Sequence, residues 1–224
     1  MTEQGDWDAF DGAGQTAAVE RTLTADRTPA AGGAAGSVPM VLGLAREYPV
    51  AAAALWAACS SADQLSLWFA AVDGDLRQGG RYRIEDNAAG TITACDPPHS
   101  YTATWEYGGT ESSVSVRIDE RGPQRALLSL EHRGDAEREH WETYGPGAAG
   151  VGWDLALLGL AHHLATGSVT PLETTPWVAT DDARHAIAAS SRYWADRAID
   201  AGADPAAARA AEARTTAFYL DEAD

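Results

Sequence analysis

The residues of this sequence that could carry out acid–base chemistry are few and widely spaced. His132 ends the alternating run Leu128, Leu130, His132, which is typical of one face of a β-strand. An imidazole there could project into a cavity as a polar anchor or as a proton-transfer group, and a histidine hydrogen-bonded within the core is an equal alternative. His132 is therefore the one candidate catalytic residue.

The other histidines do not have the spacing of a metal site. His162 and His163 are adjacent, so on a helix they point about 100° apart, which is wrong for joint coordination. Glu137 and His140 are three residues apart, but no third ligand follows at a metal-site spacing. We therefore expect no metal and no cofactor.

Motifs for nucleophilic catalysis and phosphate binding are also missing. We interpret Cys59 and Cys95 as two buried thiols rather than as a disulfide or a metal-binding pair. Neither has a sequence context that would activate its thiol. The sequence contains no G-x-S-x-G motif and no lysine, which excludes Schiff-base chemistry. Gly79-Gly80 precedes a predicted strand rather than a helix, which argues against a phosphate loop.

Aromatic side chains are the most distinctive group. Seven of them map to the interior or mouth of one predicted cavity: Trp68, Phe69, Tyr82, Tyr101, Trp105, Tyr107 and Trp153. Aromatic walls with a few hydroxyls suit a flat, mostly apolar ligand. The candidate ligand-binding residues are Trp68, Phe69, Tyr82, Tyr101, Trp105, His132, Trp153 and Leu157.

The elements that must position these side chains begin at Pro49. Apolar residues at helical spacing predict helices over 50–59 and 61–69, with Ser61 and Gln64 as a capping box at the start of the second. The period then changes to two. Tyr82 and Ile84 share one face of a strand, and Tyr101, Ala103, Trp105 and Tyr107 share the inward face of another.

Further alternating runs extend this meander. Val114, Val116 and Ile118 predict one strand, Leu128 to His132 another, and Met40, Leu42 and Leu44 a strand before the helices. Residues 17–25 suggest an added edge strand, residues 29–37 a flexible loop, and residues 1–15 a loose start. The charged and Gly/Pro-rich residues 133–149 are predicted to be a loop that covers the cavity entrance as a lid.

The C-terminal third is predicted to be helical. Trp153, Leu157, Leu160, Ala161 and Leu164 follow one stripe of a helix over 150–166. A second helix capped by Asp181 has the stripe Ile187, Ser191, Trp194, Ala198 and Ala201, and a third opened by Asp204-Pro205 has the stripe Ala208, Ala211, Thr215 and Phe218. Because these stripes are amphipathic, the tail should pack on the core of the same chain or on a second subunit.

In this order the motifs PVAAAALW, SADQLSLWF, DLRQGGRYR, G-x-I running into DPP, YTATW, LLSLEH and GVGWDLALLGLAHHL resemble the START or SRPBCC superfamily of helix-grip proteins, which includes the birch-pollen allergen. Within it the sequence is most similar to homologues of the heat-shock-protein-90 ATPase activator. The resemblance covers about residues 38–166 and implies an α+β fold: a curved antiparallel sheet of six or seven strands wrapped around a long C-terminal helix. It implies no single activity, because such folds serve many functions.

Length and charge limit the remaining possibilities. The chain has 224 residues and a formal net charge of -17, which argues against binding to nucleic acid or to anionic membranes. No apolar run is long enough to span a membrane, and the acidic N-terminus lacks a secretory pattern, so we expect a cytoplasmic protein, monomeric or homodimeric. The expected organisation is an N-terminal extension (1–37), a helix-grip domain (38–170) and a helical extension packed on the core (171–224).

The sequence thus favours binding of a small hydrophobic or aromatic molecule in an internal cavity, as in a carrier, a sequestering protein or a self-resistance protein. An alternative is a cofactor-independent cyclase or aromatase in which His132 and a tyrosine hydroxyl move protons on a polyketide-like substrate. A third hypothesis is a co-chaperone that binds a partner protein. A hollow interior would favour the first two, and a filled interior with an exposed apolar strip would favour the third.

Overall fold

The computed structural model describes residues 10–25, 36–85 and 87–221. Its helices are α1 (Gly12–Ala17), α2 (Ala52–Ser60), α3 (Ala62–Trp68), α4 (Arg138–Tyr144), α5 (Gly147–Thr166), α6 (Asp181–Asp200) and α7 (Pro205–Tyr219). Two short 3-10 turns, Leu172–Thr174 and Pro176–Ala179, connect α5 to α6. The predicted helices over 50–59, 61–69 and 150–166 are thus present with ends shifted by up to three residues.

The strands form one antiparallel sheet: β1 (Glu20–Ala25), β2 (Ser37–Tyr48), β3 (Val72–Gly74), β4 (Arg81–Ile84), β5 (Ala89–Asp96), β6 (Ser100–Tyr107), β7 (Thr110–Gly122) and β8 (Arg125–Glu137). Their order across the sheet is β1-β2-β8-β7-β6-β5-β4-β3. The predicted α+β helix-grip fold is confirmed. The described sheet has eight strands rather than six or seven, because the three-residue β3 is too short to show an alternating pattern.

Residues 1–9 of the segment predicted to be loose lie outside the described residues, but from residue 10 onward the chain is more ordered than the sequence predicted. Residues expected to be loose instead include α1, which Asp11 caps by accepting a hydrogen bond from the Gly14 amide at 2.9 Å. Strand β1 begins at Glu20 rather than at residue 17 and pairs with β2 at one edge of the sheet. Most of the predicted loop over 29–37 lies outside the described residues.

Helix α5 lies against the sheet and shares its main core. Val151, Leu157 and Leu160 are buried in one cluster with Leu42 and Leu44 of β2 and with side chains of β7 and β8. The Tyr48 hydroxyl also donates a hydrogen bond to the Leu157 carbonyl at 3.1 Å, which ties β2 to the helix. This burial of one helical stripe against one face of the sheet is the grip expected from the spacing of the apolar residues.

Helices α2 and α3 close one end of this layer. The Trp68 indole, at the end of α3, donates a hydrogen bond to the Ala58 carbonyl of α2 at 3.0 Å. The predicted capping box is wrong in detail, because Ser61 precedes α3 but its side chain makes no capping hydrogen bond. Packing of Leu55 and Trp68 into the core therefore holds these short helices in place.

The predicted lid over 133–149 is wrong. Strand β8 continues to Glu137, where it pairs with Ser37 of β2, and α4 follows it directly. The exposed residues of this strand extension, Arg133, Asp135 and Glu137, are charged, and Gly134 lies between them, so its composition resembles that of a loop. In the structure the segment extends the sheet and carries a helix that contacts the tail.

The tail packs on the core through α6. Trp194 is fully buried, and its indole lies where a Cβ atom on Gly150 of α5 would have to go. Glycine at this position is therefore required by close contact between the two helices. Helix α6 is capped by Thr180 rather than by the predicted Asp181, because the Thr180 hydroxyl accepts a hydrogen bond from the Ala183 amide at 3.2 Å.

Helix α7 packs on α6 and α4. Asp204 caps it as predicted, by accepting a hydrogen bond from the Ala207 amide at 2.8 Å. The Thr215 hydroxyl donates to the Tyr144 carbonyl at 2.9 Å, which joins α7 to α4. The predicted burial of Phe218 is wrong: its side chain is 52% exposed and rests against the Tyr144 ring.

Candidate functional site

A cavity of about 490 Å³ lies between the sheet and α5, with α2 and α3 at one end. Strands β4 to β8 contribute its floor through Tyr82, Ile84, Ile92, Cys95, Tyr101, Ala103, Trp105, Val114, Val116, Leu128 and Leu130. The helical side contributes Trp56, Cys59, Ser60, Leu65, Trp68, Phe69, Trp153, Ala156 and Leu157. The lining is mostly apolar, and its size suits a drug-sized molecule.

The structure brings together most of the side chains that the sequence singled out. Trp68, Phe69, Tyr82, Tyr101, Trp105, Trp153 and Leu157 all line this cavity. Tyr107, on the same strand as Tyr101 and Trp105, does not line it and is 59% exposed. The alternation along β6 therefore extends into the cavity only as far as Trp105.

His132 is buried beside the cavity rather than in its lining. The Trp153 indole N–H donates to His132 Nδ1 at 3.1 Å, and His132 Nε2 lies 2.9 Å from the Ser112 hydroxyl. An indole nitrogen can only donate, so Nδ1 accepts and Nε2 carries the proton that it gives to Ser112. Ser112 in turn donates to the Trp105 carbonyl at 3.2 Å.

This chain of hydrogen bonds determines what His132 can do. Burial lowers the pKa of His132 to about 4, so the ring is neutral near pH 7. Both ring nitrogens are engaged by protein groups, and neither is offered to a molecule in the cavity. His132 therefore orients Trp153 and, through Ser112, the strand that carries Trp105.

The aromatic walls meet at their edges. Trp105 and Trp153 pack with ring centroids 5.2 Å apart and planes at 61°. At the other end of β6, Trp56 of α2 contacts Tyr101 edge-on at 6.2 Å. Such edge-to-face arrangements are favourable between rings.

The polar groups of the lining are few and mostly satisfied. The Tyr82 hydroxyl donates to the Thr104 carbonyl at 2.6 Å, and burial raises the pKa of Tyr82 to about 12. Burial likewise raises the pKa of the Cys59 thiol to about 12, so this cysteine is an unreactive thiol near pH 7. Arg77 is exposed and forms an ion pair with Asp75 at 2.8 Å.

Sequence reasoning missed several lining residues. Val114, Val116, Leu128 and Leu130 belong to the alternating runs of two predicted strands, so extending the parity of β6 around the sheet would have found them. Trp56 lies on a helix whose apolar residues surround it, so no stripe marks its direction. The stretch 76–78 lies in the irregular connection between β3 and β4, where no period exists.

The exposed residues of the lining are Arg77, Gln78 and Pro97. They mark the side where the cavity reaches the surface, between the β3–β4 connection and the turn after β5. None of the residues 133–149, predicted to be the entrance, lines the cavity.

The described part of the chain lacks two other kinds of site. Residues 10–25, 36–85 and 87–221 contain no group of three or more His, Cys, Asp or Glu side chains placed to hold a metal ion. In the same ranges, no helix combines the length and apolar character needed to cross a lipid bilayer.

The sheet, the gripped helix and the cavity between them define a helix-grip protein of the START/SRPBCC type. The chain belongs to the family of Activator of Hsp90 ATPase homolog 1-like proteins, whose family model matches residues 49–165. These residues run from just before α2 nearly to the end of α5, so they contain all the described residues that line the cavity. No curated protein matches the sequence.

Solved structures give the same result for the fold. CalU16 from Micromonospora echinospora is 27% identical with a TM-score of 0.60, over 81% of this chain and 99% of that one. EF2215 from Enterococcus faecalis is 13% identical with a TM-score of 0.56, over 91% of this chain and 100% of that one. DynU16, from the dynemicin biosynthetic locus, is 16% identical with a TM-score of 0.50, over 58% of this chain and 48% of that one.

Proposed function

We propose that this protein binds a small, mostly apolar aromatic molecule in the cavity between the sheet and α5, as a carrier, a sequestering protein or a self-resistance protein. The observation that carries the proposal is the cavity itself, about 490 Å³ and lined chiefly by aromatic and aliphatic side chains. A cavity of this volume could hold several fused rings. Burial of a ligand's apolar surface contributes about 25 cal/mol per Å².

The electrostatics of the lining support a ligand without charge. Arg77, the one cation among the described residues of the lining, is exposed and already paired with Asp75. The raised pKa of the Cys59 thiol, caused by burial, means that an anion is disfavoured at this wall. A charged group on the ligand would therefore have to stay at the surface opening.

The arrangement of His132 does not support the cyclase or aromatase alternative. General acid–base catalysis requires a group within hydrogen-bonding reach of the substrate, and both ring nitrogens of His132 are bonded to Trp153 and Ser112. The hollow interior also favours a small-molecule ligand over a co-chaperone role, for which a filled core and an exposed apolar strip would be expected.

Ligand titration tests the proposal directly. Trp56, Trp68, Trp105 and Trp153 line the cavity, so an aromatic ligand should change the intrinsic tryptophan fluorescence and raise the melting temperature. The neutral dye N-phenyl-1-naphthylamine provides a first probe, because its emission increases in an apolar site. We expect saturable binding with one site per chain.

A matched pair of variants locates the site. Ala156→Trp should fill the cavity from α5 and abolish dye binding, whereas Phe218→Ala, on the exposed face of α7, should leave binding unchanged. Equal dye binding by wild type and by a folded Ala156→Trp variant would contradict the proposal. The same conclusion would follow if neither the dye nor a panel of neutral aromatic compounds affected the wild-type protein.

A further inference from the structure

Tyr101 is the one inward-facing tyrosine whose hydroxyl has no hydrogen-bond partner among the described residues. The hydroxyls of Tyr48, Tyr82 and Tyr219 each donate to a main-chain carbonyl: to Leu157 at 3.1 Å, to Thr104 at 2.6 Å and to Ala148 at 2.8 Å. Tyr101 lines the cavity, and its hydroxyl makes no such bond. The difference marks Tyr101 as a donor left for a molecule inside the cavity.

The position of Tyr101 supports this role. It lies on β6, opposite Cys95 of β5 and Val116 of β7, and these neighbours also line the cavity. Burial raises the pKa of Tyr101 far above its ordinary value, so the phenol stays protonated and acts as a donor. A hydroxyl in such surroundings is unfavourable until an acceptor reaches it.

The rest of the inward face of β6 defines the other end of the ligand. Tyr101 and Trp105 are four residues apart on one strand face, so about 13 Å separates their Cα atoms. Ala103 between them has a small side chain, and Trp105 packs against Trp153 at the far end. A ring system lying over Ala103 and against Trp105 would place its other end near the Tyr101 hydroxyl.

We infer that the ligand is a neutral aromatic molecule with a hydrogen-bond acceptor, such as a carbonyl oxygen, at one end, and that Tyr101 donates to this acceptor. The inference rests on the proposed function and adds the chemical class of the ligand. It also distinguishes Tyr101 from Tyr82, whose hydroxyl is already used within the sheet.

Two isosteric probes and two matched variants test the inference. 2-Acetylnaphthalene carries a ketone, and 2-ethylnaphthalene has a similar shape without an acceptor. For the ketone, Tyr101→Phe should weaken binding about 3- to 10-fold, the usual worth of a neutral hydrogen bond. Tyr101→Phe should change the affinity for the hydrocarbon by no more than about 2-fold. Tyr82→Phe should change the ratio of the two affinities little.

A measurement on the wild-type protein covers the case in which a variant does not fold. The carbonyl stretch of bound 2-acetylnaphthalene should fall to lower wavenumber than in hexane, as it does for a hydrogen-bonded ketone. In the folded Tyr101→Phe variant this shift should disappear.

The outcomes separate the inference from the proposed function. If both probes bind the wild type but Tyr101→Phe lowers both affinities equally or neither, Tyr101 is not the donor, while the cavity remains a binding site. An unshifted carbonyl stretch in the wild type has the same meaning. If neither probe binds the wild type, the inference and the proposed function both fail.

Discussion

Arg21 and Asp154 form a buried ion pair that joins the edge strand β1 to the gripped helix α5, across 133 positions of sequence. Two nitrogens of the Arg21 guanidinium each lie 2.9 Å from a carboxylate oxygen of Asp154. The two side chains are 4% and 1% exposed. Asp154 also accepts hydrogen bonds from Ser190 at 2.5 Å and from the Trp194 indole at 2.9 Å, so the same carboxylate holds α6.

Asp154→Asn should strongly destabilise the fold. The substitution leaves the Arg21 charge buried without a counter-charge, which typically costs about 3–5 kcal/mol of unfolding free energy. Chemical denaturation followed by circular dichroism measures the change. Glu106→Gln provides the control, because its partner Arg81 is 62% exposed and surface ion pairs contribute little. Equal effects of the two substitutions would contradict the assigned role of Asp154.

His132 should make the protein less stable as the pH falls from 6.5 to 4. Burial lowers the pKa of folded His132 to about 4 from an ordinary value of 6.5, so between these values the unfolded chain binds a proton that the folded chain does not. The neutral ring contributes its full share of the unfolding free energy above pH 6.5. About 3 kcal/mol of that free energy is lost as the pH falls to 4. Protonation of folded His132 would bury a positive charge and would also remove the acceptor of the Trp153 indole.

The control for this pH dependence is His132→Asn, whose amide can accept from Trp153 and donate to Ser112 without titrating. Unfolding free energies of both proteins are measured at half-unit steps from pH 4 to 7. The difference between them should change by about 3 kcal/mol over that window. A constant difference would show that His132 does not have a lowered pKa in the folded state.

Trp194→Ala should destabilise the protein much more than Phe218→Ala. Trp194 is fully buried between α5 and α6, and truncation of a buried tryptophan costs about 3–5 kcal/mol. Phe218, on the neighbouring tail helix, is 52% exposed, so its loss should change the melting temperature little. Calorimetry on both variants measures their melting temperatures for comparison with the wild type. A small effect of Trp194→Ala would mean that the tail folds independently of the helix-grip core.

The two cysteines should differ in their reactivity toward neutral alkylating reagents. Burial raises the pKa of Cys59 to about 12, so almost none of it is thiolate at pH 8, whereas Cys95 is partly exposed in the cavity lining. Intact mass spectrometry of the folded protein treated with N-ethylmaleimide should show one added group. The Cys95→Ser variant should take up no N-ethylmaleimide until it is unfolded. Rapid labelling of the folded variant would contradict the burial of Cys59.

Local patterns in the sequence determined the helices, the strands and the direction of most side chains. The change from a period of about 3.6 to a period of two separates the helices from the sheet, and parity along β6 places Tyr101 and Trp105 on the same side. Both are local properties of the chain, because they follow from the geometry of a single helix or strand. Seven of the eight candidate ligand-binding residues line one cavity in the structure, and their binding role stays a prediction.

Tertiary structure decided what each inward side chain meets. Parity placed His132 on the inner face, but the position of α5 decides that Trp153 bonds its Nδ1, and the pairing of β7 with β8 decides that Ser112 bonds its Nε2. Strand register, likewise, leaves the Tyr101 hydroxyl facing a hollow while it gives Tyr82 a carbonyl to bond. Sequence periods report which face of an element is apolar. Whether that face meets another side chain, an ion pair such as Arg21 with Asp154, or an open cavity depends on contacts between residues far apart in the chain.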